Sequence, residues 1–401
     1  MSASRFPART VHPQTAALHG GSYRADPTTG AVALPIYQTT SYQFHDTGHA
    51  ERLFALQEVG YSYTRTGNPT RDYAERRLAA LEGGAGALIV ATGQAARLYS
   101  LLNLAAAGDN VVVAANLAGG ATLRQHLARY NIEVRSADGP DAFRRATDDA
   151  TRAYFAETLS PRDLTLFPIA EVAAVGAKIG LPLIVDNSAL PVAVRPLDLG
   201  ASIVVYDGAA SLDGHGVAGP GVLIDGGKFP WIAHAARFAS ITAPDESYHG
   251  EIWTAVAARF KVPLAYLMKA RMGLLRDFGA VVSPLDVFSL LQGVETLALR
   301  IAAQADNARR VADFLRSQGE TVIYPGQGGL VGVLLGGDRA RRFLDALTLI
   351  AVSDGYGQIR SSATLVELAG TVAVRLSVGI EHADDIEADL GRALARTKGQ
   401  I

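Results

Sequence analysis

Four short patterns put reactive side chains or open backbone at spacings that chemistry uses. Thr92-Gly93-Gln94 stands where an apolar run, Ala87–Ala91, gives way to a helical stretch. Free N–H groups and the helix dipole make such a junction an anion cradle. Asp186-Asn187 directly follows the apolar run Leu183-Ile184-Val185. A carboxylate at the C-terminal end of a strand is where open α/β sheets bind ligands, although the same residue could cap the next helix. His45 and His49 are four apart, but Asp46-Thr47-Gly48 between them makes a helix doubtful and no third ligand is near, so no metal site is expected. Gly214-His215-Gly216-Val217-Ala218-Gly219 fits G-x-G-x-x-G, yet Pro220 and the apolar Val222-Leu223-Ile224 follow it where a dinucleotide loop needs a helix. It reads as a glycine-rich connection to a strand.

Composition narrows the chemistry further. The chain has 401 residues, 49% of them apolar, enough for a large core and against intrinsic disorder. Lys and Arg number 37 against 39 Asp and Glu, a net charge of −2, so no nucleic-acid partner and no anionic membrane surface is expected. The absence of Cys removes disulfides, Cys-ligated metal and thiol nucleophiles together. The N-terminus has no apolar signal core and no apolar run spans a bilayer, from which a cytoplasmic protein is expected.

The elements that must position these residues follow from periodicity. Residues 1–62 read as an irregular arm broken by Pro7, Pro13, Pro27 and Pro35. Thr70 is expected to cap a helix that stops at Gly83-Gly84. Ala87–Ala91, Val111–Ala115, Ala153–Ala156, Leu183–Val185 and Ile203–Tyr206 have the look of buried parallel strands, with helices such as Gln94–Leu104 and Ile169–Ile179 between them. Alternation of this kind predicts an α/β domain with a mainly parallel sheet over 63–255. A smaller α+β domain is expected over 256–401, with amphipathic stretches at Leu285–Ala303 and Asn307–Leu315 and strands near Thr321–Tyr324, Val331–Leu335 and Val372–Ser377. There is no internal repeat and no low-complexity segment.

Read together, these segments resemble one family over nearly the whole chain. Tyr61-Ser62-Tyr63-Thr64-Arg65-Thr66-Gly67-Asn68-Pro69-Thr70, Leu81-Glu82-Gly83-Gly84, Leu183–Asn187 and Arg375-Leu376-Ser377-Val378-Gly379-Ile380-Glu381 look like Cys/Met-metabolism enzymes of the fold-type-I pyridoxal-phosphate (PLP) group. Pro35-Ile36-Tyr37-Gln38-Thr39-Thr40-Ser41-Tyr42, Leu53-Phe54-Ala55-Leu56-Gln57-Glu58 and Leu291-Gln292-Gly293-Val294-Glu295-Thr296-Leu297 are similar to O-acetylhomoserine sulfhydrylases. The resemblance implies a three-layer PLP-transferase-like domain with an N-terminal arm and a smaller C-terminal domain.

It also implies roles. Gly93 and Gln94 would cradle the cofactor phosphate and Asp186 would face the pyridine nitrogen. Tyr63 and Arg65 would reach the phosphate of a neighbouring subunit, and Arg375, with Ser353, would hold an amino-acid substrate. Counting back from Asp213-Gly214-His215-Gly216, the family's Schiff-base lysine falls on Ala210 and its phosphate-binding hydroxyls on Asp207 and Ala209. The ring-stacking tyrosine falls on Ala118, and an Asn-Pro pair reads Ser160-Pro161. Without the lysine there is no built-in base, Asp207 repels a phosphate, and Ala118 removes an aromatic platform worth roughly 1 kcal/mol beyond its area. None of Lys178, Lys228, Lys261, Lys269 and Lys398 lies on a strand end that the family points at the ring.

The resulting expectation is that ordinary PLP chemistry is lost and no cofactor is bound, or PLP at most weakly and without a covalent link. Ala118, Gly208, Ala209 and Ala210 would leave room for PLP-independent catalysis or for an amino-acid-like or other small ligand, with Arg375, Asp186 and His215 as polar handles. Alternatives are a catalytically dead subunit paired with a lysine-bearing relative, and a γ-replacement enzyme retained by another route. A homo-oligomer, dimer or tetramer, is expected in the first case and a hetero-oligomer in the second.

Overall fold

The computed structural model describes residues 11–22, 25–206 and 210–398. Its centre is a seven-stranded sheet built from β1 (Gly86–Val90), β2 (Asn110–Ala114), β3 (Glu133–Ala137), β4 (Thr151–Glu157), β5 (Leu183–Asp186), β6 (Ile203–Tyr206) and β7 (Gly221–Asp225), in the order β1-β7-β6-β5-β4-β2-β3. Pairing is parallel from β6 through to β3, and only β7 runs against its neighbours β1 and β6. Residues of β2, β5, β6 and β7 are buried throughout, as strands covered on both faces must be. Full burial of each Val, Leu or Ile there contributes roughly 1.5–3 kcal/mol.

Helices cover both faces. In chain order they are α1 (Pro13–His19), α2 (Thr47–Phe54), α3 (Pro69–Glu82), α4 (Gly93–Leu102), α5 (Gly120–Ala128), α6 (Gly139–Arg145), α7 (Ile169–Lys178) and the single turn α8 (Ala210–Asp213). One buried cluster joins α4 to β2, β4 and β5, and another joins α1 and α3 to β1, β6 and β7. The arm is therefore not devoid of regular structure: Ala16 and Ala17 of α1 are buried in the second cluster, and Asp46 caps α2 by accepting from the His49 amide at 2.7 Å.

The cap of α3 differs from expectation. Asn68, not Thr70, is the N-cap, its Oδ1 accepting from the Thr70 amide at 3.0 Å, while the Thr70 hydroxyl donates to the Pro35 carbonyl and ties down the arm. Pro69 explains the shift, because proline suits the first helical position and leaves the cap to the residue before it. The long amphipathic stretch from Leu285 is two helices, Pro284–Glu295 and Leu297–Ser317, meeting at Thr296. The Thr296 hydroxyl donates back to the Gly293 carbonyl, a side-chain bond that competes with helix continuation.

A second, five-stranded sheet follows, with β8 (Thr321–Ile323), β9 (Leu330–Leu334), β10 (Ala351–Val352), β11 (Ser362–Leu368) and β12 (Thr371–Ser377) in the order β10-β11-β12-β9-β8. All its pairings except β10 with β11 are antiparallel, and one face packs on Leu297–Ser317 and the C-terminal helix Ala383–Lys398. Among the described residues no helix is long and apolar enough to cross a membrane.

Candidate functional site

The C-terminal ends of β1, β2, β4, β5 and β6 share one edge of the large sheet, where an open α/β sheet presents ligands to loops and helix starts. Thr92 caps α4 there, its hydroxyl accepting from the Ala95 amide at 3.1 Å, so Gly93 and Gln94 open the helix at its positive end. The turn needs glycine opposite it. A Cβ on Gly221 of β7 would meet the Thr92 carbonyl oxygen at 2.3 Å and the Gly93 Cα at 2.8 Å.

Asp186 ends β5, and in register beside it Glu157 ends β4. Two buried carboxylates thus stand side by side, and one guanidinium lies between them and the loop after β2. Arg97 of α4 donates from Nε and Nη2 to Asp186 Oδ2 (3.0 and 2.9 Å), from Nη2 to Glu157 Oε1 (2.6 Å) and from Nη1 to the Ala118 carbonyl (2.8 Å). The Ala118 amide donates to Glu157 Oε2 at 3.0 Å. Asp186 Oδ1 accepts from the Ser188 amide and hydroxyl (2.9 and 2.6 Å). Burial pushes the Glu157 carboxyl up to about 7, opposed by the Arg97 charge and aided by Asp186. One cation cannot neutralise two buried anions, and the carboxylate with fewer donors is the one whose hold on a proton rises.

Arg97 and Glu157 escape the sequence patterns. Their signals were nonetheless present: Arg97 is the one charge in an otherwise apolar turn of α4, and Glu157 closes an apolar run that reads as ending at Ala156. Sequence reasoning also passes over Asp354. Arg375 on β12 is buried, and donates from Nη1 to the Pro161 carbonyl (3.0 Å) and from Nη2 to the carbonyl and carboxylate of Asp354 (2.7 and 3.1 Å). Its Nε, also buried, has no hydrogen-bond partner. Ser353 is exposed next to Asp354, and its hydroxyl accepts weakly from the Gly355 amide at 3.4 Å.

The remaining candidates separate. Ala210 begins α8 and is half-buried; its carbonyl accepts from Gly214, and Arg300 secures the turn by donating to the Ser211 and Leu212 carbonyls. His215 is exposed on the loop, where its backbone amide, with that of Gly216, donates to buried Asp213. This Gly214–Gly219 segment links α8 to β7. Asp207, Gly208 and Ala209 lie outside the described residues. Tyr63 and Arg65 stack at 4.3 Å and line a groove of about 520 Å³ with Phe54, Phe260, Met268 and Arg276. Gly93, Asp186 and Ala210 are not part of that lining. His45 and His49 stack on each other at 4.7 Å, and the His45 amide donates to His49 Nδ1.

These residues fit a phosphorylated pyridine ring in part. The start of α4 suits a phosphate, and Asp186 is a carboxylate of the type and place that would face a ring nitrogen. Ala118 offers no platform, and both oxygens of Asp186 are already engaged.

Comparison with known proteins agrees over most of the chain. The family model for Cys/Met metabolism PLP-dependent enzymes matches residues 14–395. The O-acetyl-L-homoserine sulfhydrylase of Leptospira meyeri is 41% identical, covering 96% of this chain and 97% of that protein. The homocysteine/cysteine synthase of Saccharomyces cerevisiae is 34% identical, covering 94% and 96%. A crystal structure of a putative O-acetylhomoserine (thiol)-lyase from Campylobacter jejuni, with N'-pyridoxyl-lysine-5'-monophosphate, superposes with a TM-score of 0.90 at 32% identity, covering 96% of this chain and 100% of that one. These matches overturn the expectation that no cofactor, or only weakly held PLP, is to be found: they point to PLP. The error lay in weighing altered side chains above the scaffold, since the strand edge, the α4 turn and Asp186 all persist.

Proposed function

From the premise that this chain belongs to the Cys/Met metabolism PLP-dependent enzyme family, we propose that it is an O-acetylhomoserine sulfhydrylase-like, PLP-binding protein that takes amino-acid ligands and has lost the ordinary turnover of its relatives. PLP, when bound, supplies an electron sink for bonds at the α-carbon of an amino acid. The chain's own part is to hold the phosphate at Gly93 and Gln94 and to bind a carboxylate at Arg375. What is missing is the lysine amine at the first position of the α8 turn. Ala210 carries the reading: a methyl group stands where the resemblance puts the lysine, and the half-buried Lys269 is tied to the Asn103 carbonyl at 2.6 Å.

Partner choice belongs to the same proposal. Tyr63 and Arg65 line an apolar groove of their own, which supports a second copy docking there and receiving them at its phosphate site. Their retention equally suits a lysine-bearing relative as the second chain.

The test is homocysteine formation from O-acetylhomoserine and sulfide with PLP saturating. The expected result is no turnover above the uncatalysed rate, in the parent and in Ala210→Lys alone, because the ring contacts act as one site. Turnover in the parent at the rate of an active sulfhydrylase assayed alongside would refute the loss.

A further inference from the structure

Asp186 has no oxygen left for a cofactor. A carboxylate offers about four lone-pair sites, and here each oxygen already receives two donors, Ser188 N and Oγ on Oδ1, Arg97 Nε and Nη2 on Oδ2. Arg97 is no loosely held surface residue. It is 6% exposed, and its Nη1 and Nη2 are anchored to the Ala118 carbonyl and to Glu157, which in turn accepts from the Ala118 amide. Turning Arg97 aside would strand two buried acids and release the Ala118 loop that follows β2.

We propose that Arg97 is a positioning residue that withholds Asp186 from the ring nitrogen, so that this chain holds PLP with that nitrogen unprotonated and unrecognised. The inference rests on the reading that the chain binds PLP. A pyridine nitrogen makes no favourable hydrogen bond with a carboxylate unless it carries a proton, and that proton is stabilised only when an oxygen of Asp186 is free to accept it. With the fork of Arg97 on that oxygen, the positive charge Asp186 pairs with is the protein's own. PLP held in this way would be a poorer electron sink at the α-carbon of an amino acid. Arg97 therefore acts on the cofactor through Asp186 and touches neither substrate nor reacting atoms.

The test compares binding of PLP with binding of its 1-deaza analogue, in which a ring CH replaces the nitrogen, by equilibrium dialysis against the full-length protein. The parent is expected to bind the two within about threefold of each other, because it does not read the nitrogen. Arg97→Gln is expected to prefer PLP by about tenfold or more, as Asp186 becomes free to pair with a pyridinium. Should Arg97→Gln fold poorly with Glu157 unpaired, the double variant Arg97→Gln/Glu157→Gln removes both charges and is expected to show the same preference. A parent that already prefers PLP tenfold, or variants that discriminate no better than the parent, overturns the role of Arg97 while leaving PLP binding intact. Failure of every protein to bind PLP overturns the proposed function itself.

Discussion

Two buried arginines, Arg97 and Arg375, are held by partners that differ in kind. Arg97 is held by two buried carboxylates that end adjacent strands, whereas Arg375 is held by two backbone carbonyls and by Asp354, whose side chain is 90% exposed. Buried partners cannot be replaced by water, so the first set is permanent. Of the Arg375 partners only the Asp354 carboxylate is exposed; it exchanges with water at little cost, so that one contact can yield to an incoming anion. The difference separates an arginine built into the sheet edge from one that, in the function proposed above, receives a ligand.

The largest effect should come from breaking the permanent set. Arg97→Ala leaves Glu157 and Asp186 buried side by side without a cation, and is expected to cost about 3–5 kcal/mol of unfolding free energy. Arg375→Ala loses hydrogen bonds to two carbonyls, one buried and one partly buried, but strands no charge, and should cost about 1–3 kcal/mol. Urea unfolding of the two variants at neutral pH checks this, and equal losses would erase the distinction drawn between them.

The contrast was only half legible in the sequence. Strand positions were readable because β2, β5 and β6 are buried on both faces and so appear as unbroken apolar runs, and Asp186 stood out as the polar residue ending such a run. Glu157 has the same position on β4, but recognising it required the register of β4 against β5, which no single strand contains. Arg97 was hidden for a similar reason: a lone arginine on a helix ordinarily reaches water, and only tertiary packing turns it inward. Ala210 and Ala118 were legible solely through resemblance, since alanine carries no chemistry to notice. The caution those alanines prompted about the cofactor went too far, because the scaffold that receives PLP is specified by backbone and strand order more than by any one side chain.

A smaller effect is expected from pH, and it belongs to the permanent set alone. Folding raises the Glu157 carboxyl from its ordinary 4.5 to about 7, chiefly through burial. The folded state therefore binds this proton more tightly than the unfolded one, and the associated stability is fully present below about pH 4.5 and is lost as pH rises through 7. The loss amounts to on the order of 3 kcal/mol at most. Burial also raises Asp225 to about 7 and Glu82 to about 8, both away from the two arginines, and they add a slope of the same sign. Glu157→Gln should remove its own share and leave theirs. Unfolding free energies measured between pH 5 and pH 8.5 would show a shallower decline in the variant, and an unchanged decline would mean that Glu157 stays ionised beside Arg97 throughout.

The smallest change in stability should accompany a clear change in binding, at Asp354. This carboxylate meets Arg375 Nη2 at 3.1 Å, yet nearly all of its surface is in water, where such a pair contributes less than about 0.5 kcal/mol. Asp354→Asn should thus unfold almost as the parent does. In the proposed binding role of Arg375 the side chain is an internal competitor, because it engages Nη2 while the buried Nε stays unpartnered. Removing its charge frees a fork that suits a planar carboxylate, and affinity for O-acetylhomoserine in the PLP-loaded protein should rise by about threefold. Arg375→Lys keeps the charge but loses the fork, and should weaken the same ligand by more than Asp354→Asn strengthens it. Titration calorimetry on the three proteins would read both shifts. If neither variant moves the affinity, Arg375 is as permanent as Arg97, and the second arginine serves the fold rather than a ligand.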